Sequence, residues 1–223
     1  MSQPCIFERH VQADPALVER LRRIPVANIS DMMMRLTAGG PRLRPMHDGS
    51  PMAGTALTVK TRPGDNLFVH KALDLAKPGD IVVVDAGGDL TNAIIGELMT
   101  SYAASRGIAG LVINGSVRDA DFLRKASLPV FAAGVSHRGP YKDGPGQINV
   151  AVSLDGMVVN PGDIMLGDGD GVLCIPLEQA AAICAAAEEK HSQEEQTLKA
   201  IAAGTLDTSW IDAMLRQKGY LAP

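Results

Sequence analysis

The sequence predicts an α/β protein, a layered β/β/α sandwich with helices outside the sheet and a helical arm at the C-terminus. Helical and extended segments alternate in the first half of the chain, and the middle is rich in short strands. Residues 177–203 contain neither Pro nor Gly and are rich in Ala, Glu and Lys, which is typical of a long helix. With 223 residues, 46% of them hydrophobic, the chain can bury a core without disulfides.

One domain is expected over residues 1–223. Within it, residues 1–13 are a tail, 25–176 are the core and 177–223 are C-terminal helices. The long helix is polar on much of its surface. Because such a terminal helix often packs on a neighbouring subunit, we expect an oligomer.

The first two elements are helices. Asp14 and Pro15 begin the first, because Asp caps a helix and Pro fits its first turn, and it runs to about Arg23. A second short helix is capped by Asn28 or Ser30, and a Gly-Gly-Pro sequence ends it. The residues expected to face inward from this helix are Met32, Met33 and Leu36.

A strand, a helix and a second strand follow. Residues 53–61 alternate well enough between apolar and polar positions to predict a strand. Asp65 then begins a helix that reaches Ala76 and carries an apolar stripe. After a Pro-Gly turn, residues 81–84 are all apolar and predict a buried strand. The pattern PGDI-x-x-x-D of this corner recurs within residues 160–171, which predicts a second corner of similar shape.

The alternation continues through the next stretch. Residues 97–106 predict a helix and 110–114 a buried strand. A tight Gly-Ser-Val turn then leads to Arg118, Asp119 and a short helix, and residues 129–134 form the next strand.

A long polar loop, residues 136–147, precedes the strand-rich segment. The strands of that segment are expected near 148–153, 157–159, 164–166 and 172–175. After the long helix, Gly204 marks its end and a last helix covers about 209–217.

Composition excludes several classes of protein. Lys and Arg number 21 against 25 Asp and Glu, and a net charge of −4 argues against binding nucleic acid through bulk charge. Four Phe, three Tyr and one Trp are too few for a base-stacking platform. No CxxC pattern joins Cys5, Cys174 and Cys184, so neither a disulfide framework nor a thiolate zinc site is expected.

Neither a targeting segment nor a membrane span is expected from this sequence. Its first residues show no basic flank followed by an apolar run, so no signal peptide is expected. The longest apolar runs are far shorter than a membrane span. We therefore expect a cytoplasmic protein without a membrane partner.

Common catalytic motifs such as GxSxG, HExxH and GxxxxGK[ST] are absent. The sequence GDGDG at 167–171 predicts a tight turn, because a calcium-binding EF-hand loop needs a Glu at its end.

The five histidines lack metal-ligand spacing, and His70 is expected to be packed or on the surface. His137 lies in the 136–147 loop together with Arg138, Tyr141 and Lys142. This loop either covers a site for an anionic substrate or is a solvated surface loop.

The stretch richest in chemistry is GELMTSYAASRGIAGLVINGSVRD, residues 96–119. Gly96 precedes a helix whose first N–H groups and positive dipole end suit a carboxylate or phosphate. The guanidinium of Arg118 can bind an anion through two hydrogen bonds, and Asp119 offers a carboxylate to a hard cation such as Mg²⁺. The alternatives, a helix cap for Asp119 and a surface charge for Arg118, stay open at this point.

This stretch, together with the downstream GQINVAVSLDGMVVNPGDIMLGDGDGVLCIP, resembles the RraA-like family over roughly residues 25–205. That family includes 4-hydroxy-4-methyl-2-oxoglutarate aldolase, 4-carboxy-4-hydroxy-2-oxoadipate aldolase and the regulator of ribonuclease E activity. The resemblance implies a swivelling-domain-like sandwich and a homotrimeric ring, or a hexamer of two rings, with sites between subunits. It also implies a metal-dependent class II pyruvate aldolase that decarboxylates oxaloacetate.

The resemblance further implies roles for individual residues. The backbone groups that would hold the substrate carboxylate are those of Gly96, Glu97, Leu98 and Met99. Arg118 would contact the keto or enolate oxygen, Asp119 would ligate Mg²⁺, Mn²⁺ or another divalent cation, and Glu97 would help to position a proton-transfer water. An acidic residue from the neighbouring subunit would approach the metal, and Glu194 and Glu195 lie in the matching region.

The residues agree with that chemistry. Retro-aldol cleavage and decarboxylation of a β-keto acid both leave a pyruvate enolate, which a metal and Arg118 stabilise without a protein nucleophile. A Schiff-base aldolase would instead need a desolvated Lys, and Lys60 is the only lysine on an expected strand. The alternative from another class is a protein-binding regulator of ribonuclease E type, which has no need of a metal ligand in a concave site.

Overall fold

The computed structural model describes residues 5–36 and 39–222, so residues 1–4 of the expected tail lie outside it. The helices are α1 (Pro15–Arg22), α2 (Val26–Met32), α3 (Leu67–Leu75), α4 (Glu97–Ser105), α5 (Ala120–Leu123), α6 (Ala180–Ala202) and α7 (Ser209–Gln217). The strands are β1 (Arg44–Pro45), β2 (Met52–Thr61), β3 (Asp80–Asp85), β4 (Ala93–Ile95), β5 (Gly110–Val117), β6 (Val130–Val135), β7 (Gly146–Ile148), β8 (Val152–Leu154), β9 (Met157–Val159), β10 (Ile164–Asp168) and β11 (Gly171–Ile175).

A mixed sheet with a parallel centre organises the fold, as the α/β prediction requires. Its order is β1-β6-β5-β3-β2-β10-β11, with β4 also paired to β5 and β7 to β2. Strands β2, β3, β5 and β6 are parallel, whereas β10 and β11 are antiparallel to their neighbours. The sheet is nearly closed, since Arg44 on β1 donates a hydrogen bond of 3.2 Å to the carbonyl of Asp170 in the β10–β11 turn.

Helices and a small hairpin cover the two faces of this sheet. One buried cluster includes residues of α3, α4 and α5, and a second includes residues of the β8–β9 hairpin. Val82 and Val84 of β3 belong to the first cluster, and Ile81 and Val83 to the second. Because both faces of β3 are buried, its sequence is a continuous apolar run, and each such side chain contributes roughly 1.5–3 kcal/mol by its burial. A third cluster lies under α1, α2 and the first turns of α6.

The N-terminal segment corrects the expectation of a tail, because residues 5–13 lie against the core. The backbone N–H of Phe7 donates to the carbonyl of Ile148 at 3.1 Å. The guanidinium of Arg9, whose side chain is 5% exposed, donates to both carboxylate oxygens of the fully buried Asp80 at 2.8 and 2.9 Å. The two residues are far apart in sequence, so the local pattern around Arg9 gives no sign of this partner.

The two PGDI corners have the same local geometry, as predicted. The carboxylate of Asp80 accepts the N–H of Lys77 at 2.8 Å, and that of Asp163 accepts the N–H of Asn160 at 2.8 Å. The preceding glycine has a left-handed φ in both corners, 85° and 97°. Each aspartate therefore closes a turn before its chain enters the sheet.

The second helix differs from its prediction. It begins at Val26, so Asn28 and Ser30 lie inside the helix, and Asn28 is buried. The N–H of Val26 donates to the carboxylate of Asp168 at 2.9 Å, so the cap comes from the predicted GDGDG turn between β10 and β11. Of the residues expected to face inward, Leu36 is 83% exposed.

The chain divides into two compact units, residues 1–187 and 188–223. The second unit contains α6 from residue 188 onward and all of α7. The bounds of α7 agree with those of the predicted last helix. Its large apolar side chains, Trp210 and Met214 among them, are exposed. Among the described residues, no helix combines the length and the apolar character of a membrane span.

Candidate active site

Two parallel strands bring Gly96 and Arg118 together. Strand β4 ends at Ile95, which pairs with Val117 at the end of β5. The N–H of Arg118 donates to the carbonyl of Ile95 at 3.0 Å. The residues that follow the two strands therefore meet at one edge of the sheet, where the sequence predicts the site.

The predicted tight turn over residues 115–117 is wrong, because β5 continues to Val117. Its pairing with β6 shifts register between Ile113 and Ser116. A Cβ at Gly115 would lie 3.2 Å from the Cβ of Ala86, so this glycine permits a close approach at the irregular point. The longer strand carries Arg118 to the start of α4.

Asp119 is held in an unusual geometry. Its backbone is left-handed, with φ 59° and ψ 42°, a conformation that Asp tolerates better than most residues. It precedes α5, yet its side chain makes no capping hydrogen bond to that helix. One carboxylate oxygen, Oδ2, instead accepts the N–H of Glu97 at 2.8 Å, at the start of α4. Asp119 therefore stands at the N-cap position of α5 without capping it through its side chain, and its carboxylate faces the neighbouring helix.

Gly96 is required for space. Its φ of −156° and ψ of −158° are extended values that any residue adopts. A Cβ at this position would overlap Oδ2 of Asp119 and lie 2.8 Å from Cγ of Arg118. The bare backbone therefore lets the start of α4 contact both side chains.

The first turn of α4 presents two N–H groups to a ligand. Helix geometry leaves the first N–H groups without intrahelical acceptors. That of Glu97 is occupied by Asp119, and that of Thr100 donates to the carbonyl of Gly96 at 3.0 Å. The N–H groups of Leu98 and Met99 remain at the positive end of the helix dipole, so they are the groups placed to bind an anion.

A cavity of about 160 Å³ adjoins this helix start. Its polar and charged lining residues are Asn66, His70, Arg118 and Lys142. Asn66 is buried, and its amide N–H donates to the carbonyl of Ile94 at 2.8 Å. Its Oδ1 atom is buried without a hydrogen-bond partner among the described residues, so an acceptor is available beside the cavity.

The predicted loop 136–147 ends two residues earlier than expected, because β7 begins at Gly146, and it forms one wall of the cavity through Pro140 and Lys142. A Cβ at Gly139 would lie 3.3 Å from Nη1 of Arg118, so the loop backbone passes close to the guanidinium. The loop therefore lines the cavity beside Arg118, and its role as the cover of a site for an anionic substrate stays a prediction. His137 is exposed.

A buried carboxylate anchors this loop. Asp65 is fully buried, and its Oδ2 accepts the N–H groups of Asp143 at 2.7 Å and Gly144 at 2.9 Å. Burial alone raises the pKa of Asp65, but these hydrogen bonds, a third from Leu67 and the charge of Arg62 outweigh it. The pKa therefore lies below its ordinary value of 3.8, and the carboxylate is ionised at neutral pH.

His70 contributes a neutral imidazole to the cavity. Partial burial lowers its pKa below the ordinary value of 6.5, and the nearby ammonium of Lys142 lowers it further. The positive charges that line the cavity are therefore those of Arg118 and Lys142. Nε of Arg118 lies 3.8 Å from Oδ2 of Asp119, with both side chains about two-fifths exposed, so this ion pair is loose.

Asp119 is the residue that fits a divalent cation. Its side chain is 40% exposed, and the hydrogen bond from Glu97 engages one of its two oxygens. Over residues 5–36 and 39–222, no group of three His, Cys, Asp or Glu side chains forms a metal cage. A single carboxylate supplemented by water and substrate oxygens is a common arrangement for Mg²⁺, so the donor set fits that ion.

Glu97 and Asp119 meet at the start of α4 but are not among the residues that line the cavity. Glu194 accepts a hydrogen bond of 2.6 Å from Lys190, and Glu195 lies 3.8 Å from His191, all within residues 188–223. Their approach to a neighbouring subunit stays a prediction. Lys60 on β2 is exposed. It therefore does not supply the desolvated amine that a Schiff-base aldolase needs.

Sequence reasoning missed the contribution of Asn66. Asn66 precedes α3 and shows no local signal, since its neighbours in the cavity come from other elements. Lys142 belongs to the polar loop that was predicted over residues 136–147, and its positive charge is the sequence signal for an anionic ligand there.

Comparison with known proteins decides the family. A family model described as "RraA-like: Aldolase/RraA" matches residues 26–174. The chain therefore belongs to the RraA-like family. A Halalkalibacterium halodurans protein provisionally named 4-hydroxy-4-methyl-2-oxoglutarate aldolase is 37% identical to this RraA-like chain over 190 residues, covering 85% of the chain and 90% of the relative.

Solved structures agree with this RraA-like fold. An uncharacterized Pseudomonas syringae protein superposes with a TM-score of 0.78 and 25% identity, covering 87% of this chain and 96% of that one. The RNA-processing inhibitor RraA from Thermus thermophilis has a TM-score of 0.63 and 30% identity, covering 68% of this chain and 92% of that one.

Proposed function

We propose that this RraA-like protein is a divalent-metal-dependent class II pyruvate aldolase that also decarboxylates oxaloacetate. Its substrate would be 4-hydroxy-4-methyl-2-oxoglutarate or a related 4-hydroxy-2-oxo acid. The observation that carries the proposal is the meeting of Arg118 and the start of α4 at one cavity, with the carboxylate of Asp119 hydrogen-bonded to that helix start. The name of the 37% identical relative supports the choice of substrate.

Asp119 would hold the Mg²⁺ or Mn²⁺ ion, with water, the substrate and an acidic residue of a neighbouring subunit completing its ligands. When bound, the ion would act as a Lewis acid on the keto and carboxylate oxygens of the substrate. The N–H of Glu97 fixes one oxygen of Asp119, so the other is the oxygen available to the ion. A single protein carboxylate implies weak retention, so activity should depend on added metal.

The residues of the chain would act on the 2-oxo acid end of the substrate. The N–H groups of Leu98 and Met99 would bind its C1 carboxylate. In the retro-aldol step the 4-hydroxyl would give its proton to the water positioned by Glu97, and a carbonyl would form at C4. The C3–C4 bond would break, and the electron pair of that bond would move to the C2 oxygen as an enolate. Arg118 would stabilise that negative charge, and water positioned by Glu97 would return a proton to C3 to give pyruvate.

The test is pyruvate release by the purified protein from 4-hydroxy-4-methyl-2-oxoglutarate and from oxaloacetate, with Mg²⁺ and after chelation. We expect release from both compounds that disappears with chelator and returns with Mg²⁺. Release of no pyruvate from either compound would contradict the aldolase proposal.

A protein-binding regulator is the second candidate, because the RNA-processing inhibitor RraA shares the fold. It would be favoured if the purified protein lacked lyase activity and instead inhibited a ribonuclease E in direct assay. For either function we propose a homotrimer or a hexamer, with sites shared between subunits and without nucleic acid as a partner.

A further inference from the structure

The loop between β6 and β7, residues 136–145, is hydrogen-bonded to other elements around the residues that line the cavity. Surface loops of this length are usually more mobile than the elements they connect. Here Pro140 is preceded by contacts at residues 138–139, and Lys142 is flanked by contacts at 141 and 143. This arrangement fixes the wall of the cavity from two sides.

The start of β4 holds the first part of the loop. The N–H of Ala93 donates to the carbonyl of Arg138 at 2.8 Å, and the side-chain amide of Asn92 donates to the carbonyl of Gly139 at 2.6 Å. Asn92 is buried, so water competes little for this amide. Because the backbone of Gly139 passes beside Nη1 of Arg118, the same contacts set the wall against the guanidinium.

The residues that lead into α3 hold the second part. The N–H of Tyr141 donates to the carbonyl of Gly64 at 2.8 Å, and its carbonyl accepts the N–H of Asn66 at 3.0 Å. The side-chain amide of Asn66 also donates to the carbonyl of Ile94 at 2.8 Å. Asn66 therefore ties the loop to β4 as well as to the start of α3.

Asp65 supplies the only charged anchor among these contacts. Its Oδ2 accepts the N–H groups of Asp143 at 2.7 Å and Gly144 at 2.9 Å, and its Oδ1 accepts that of Leu67 at 3.0 Å. The backbone of Asp65 is itself fixed, because its carbonyl accepts the hydroxyl of Thr61 at 3.0 Å. Hydrogen bonds to an ionised acceptor are stronger than those between neutral groups, so this anchor holds the loop firmly.

We propose that Asp65 and Asn92 are positioning residues that hold the loop 136–145 as a preformed wall of the cavity, so that the loop does not act as a lid that closes on the substrate. Both side chains act through the loop backbone and not through contact with the substrate. A preformed wall spends none of the binding energy of the substrate on ordering the loop. The inference rests on the proposed function for its kinetic readout alone.

Hydrogen exchange of the backbone amides in the full chain tests the wall directly. In the free wild type we expect the amides of Tyr141, Asp143 and Gly144 to exchange on the order of 10²-fold more slowly than in an unstructured chain. Pyruvate with Mg²⁺ should change these rates less than about twofold, because the wall is already in place. Fast exchange that slows when pyruvate is added would identify a lid and overturn the proposal, and fast exchange in both states would overturn it too.

Asp65→Ser removes the anchor but spares the start of α3, because a serine hydroxyl can still accept the N–H of Leu67. Serine carries no second oxygen for the loop. We expect exchange at Asp143 and Gly144 to become on the order of 10- to 100-fold faster, as for the loss of hydrogen bonds to a charged group. Wild-type exchange rates in this variant would overturn the role of Asp65.

Asn92→Ala is a second variant that leaves Asp65 in place, so the proposal can still fail if Asp65→Ser does not fold. It should speed exchange at Ala93, whose N–H donates to the loop, and an unchanged rate there would overturn the role of Asn92. The matched control is Asp163→Ser, which removes another buried aspartate that accepts backbone N–H groups, outside the loop. It should leave exchange at residues 141–144 unchanged.

Steady-state kinetics on oxaloacetate adds a readout that a merely structural role would not move. A mobile wall must be ordered by the substrate, so Asp65→Ser should raise KM on the order of 10-fold and change kcat less than about threefold. Asp163→Ser should keep the wild-type KM. A fall in kcat at unchanged KM in Asp65→Ser, or an equal rise in KM in Asp163→Ser, would reduce Asp65 to a structural residue and overturn the proposal. If the wild type releases no pyruvate but its loop amides are protected, the aldolase proposal falls and the preformed wall stands.

Discussion

Two features position the side chain of Asp119. Its backbone is left-handed, and its carboxylate accepts a hydrogen bond from the first turn of α4. The carboxylate is fixed by the N–H of Glu97 through one oxygen and keeps the other. The sequence predicted Asp119 as a metal ligand or a cap, but could not show that it reaches α4, because that contact depends on the pairing of β4 with β5. The position of Arg118 beside α4 depends on the same pairing of β4 with β5.

Arg118→Ala should lower kcat/KM for pyruvate release by on the order of 10²–10³, because a charge-stabilising contact to the developing enolate is lost. Excess Mg²⁺ should not restore the rate. The side chain is 43% exposed and its ion pair is long, so the melting temperature should stay nearly unchanged. Arg124→Ala, which removes an exposed arginine nearby, is the control and should retain activity. Restoration of the wild-type rate by metal would argue against the enolate role.

His70 should titrate with a midpoint below 6.5 in the folded protein, measured by NMR of its ring protons. Lys142→Met should raise this midpoint but leave it below 6.5, because burial is the larger cause of the shift. The depressed pKa means that the unfolded chain binds the proton more readily, so stability from this group falls as the pH drops below 6.5. A midpoint above 6.5 in the wild type would show that His70 does not carry the neutral imidazole inferred here.

At the scale of elements, local signals predicted the helices α1 and α7 and the buried strand β3. They failed where a distant partner decides the structure. Helix α2 begins at Val26 because Asp168 accepts its first N–H, and β5 continues because β4 pairs with its end. The N-terminal segment is ordered for the same reason, since Arg9 pairs with Asp80.

Gly96→Ala tests the close packing at the start of α4. The added Cβ would displace the carboxylate of Asp119, so we expect pyruvate release to fall by on the order of 10² while the protein stays folded. Gly169→Ala is the matched control, because a Cβ there meets nothing within 4 Å. Wild-type activity in Gly96→Ala would mean that the position of Asp119 does not matter for the reaction.

Arg9→Met should destabilise the fold by about 3–5 kcal/mol, because it leaves the buried carboxylate of Asp80 without its cation. Urea unfolding followed by circular dichroism measures this change. Adding Asp80→Asn to the same chain should recover part of the loss, since the uncompensated charge is then removed. A change below about 1 kcal/mol in Arg9→Met would indicate a weakly coupled surface pair instead.

At the scale of the whole molecule, the exposed apolar side chains of residues 188–223 support the expectation of an oligomer. Light scattering at micromolar concentration should give a mass of three or six chains, each of 23.5 kDa. A monomeric mass would contradict both the oligomer and any site shared between chains.

The Mg²⁺ dependence of oxaloacetate decarboxylation in Asp119→Asn tests the central claim, that Asp119 is a metal ligand held by α4. Asn can still accept the N–H of Glu97, so thermal melts should match the wild type. We expect the rate at low Mg²⁺ to fall by on the order of 10²–10³ and to recover partly at high Mg²⁺. A wild-type rate at low Mg²⁺ in the folded variant would reduce Asp119 to a cap and contradict the account.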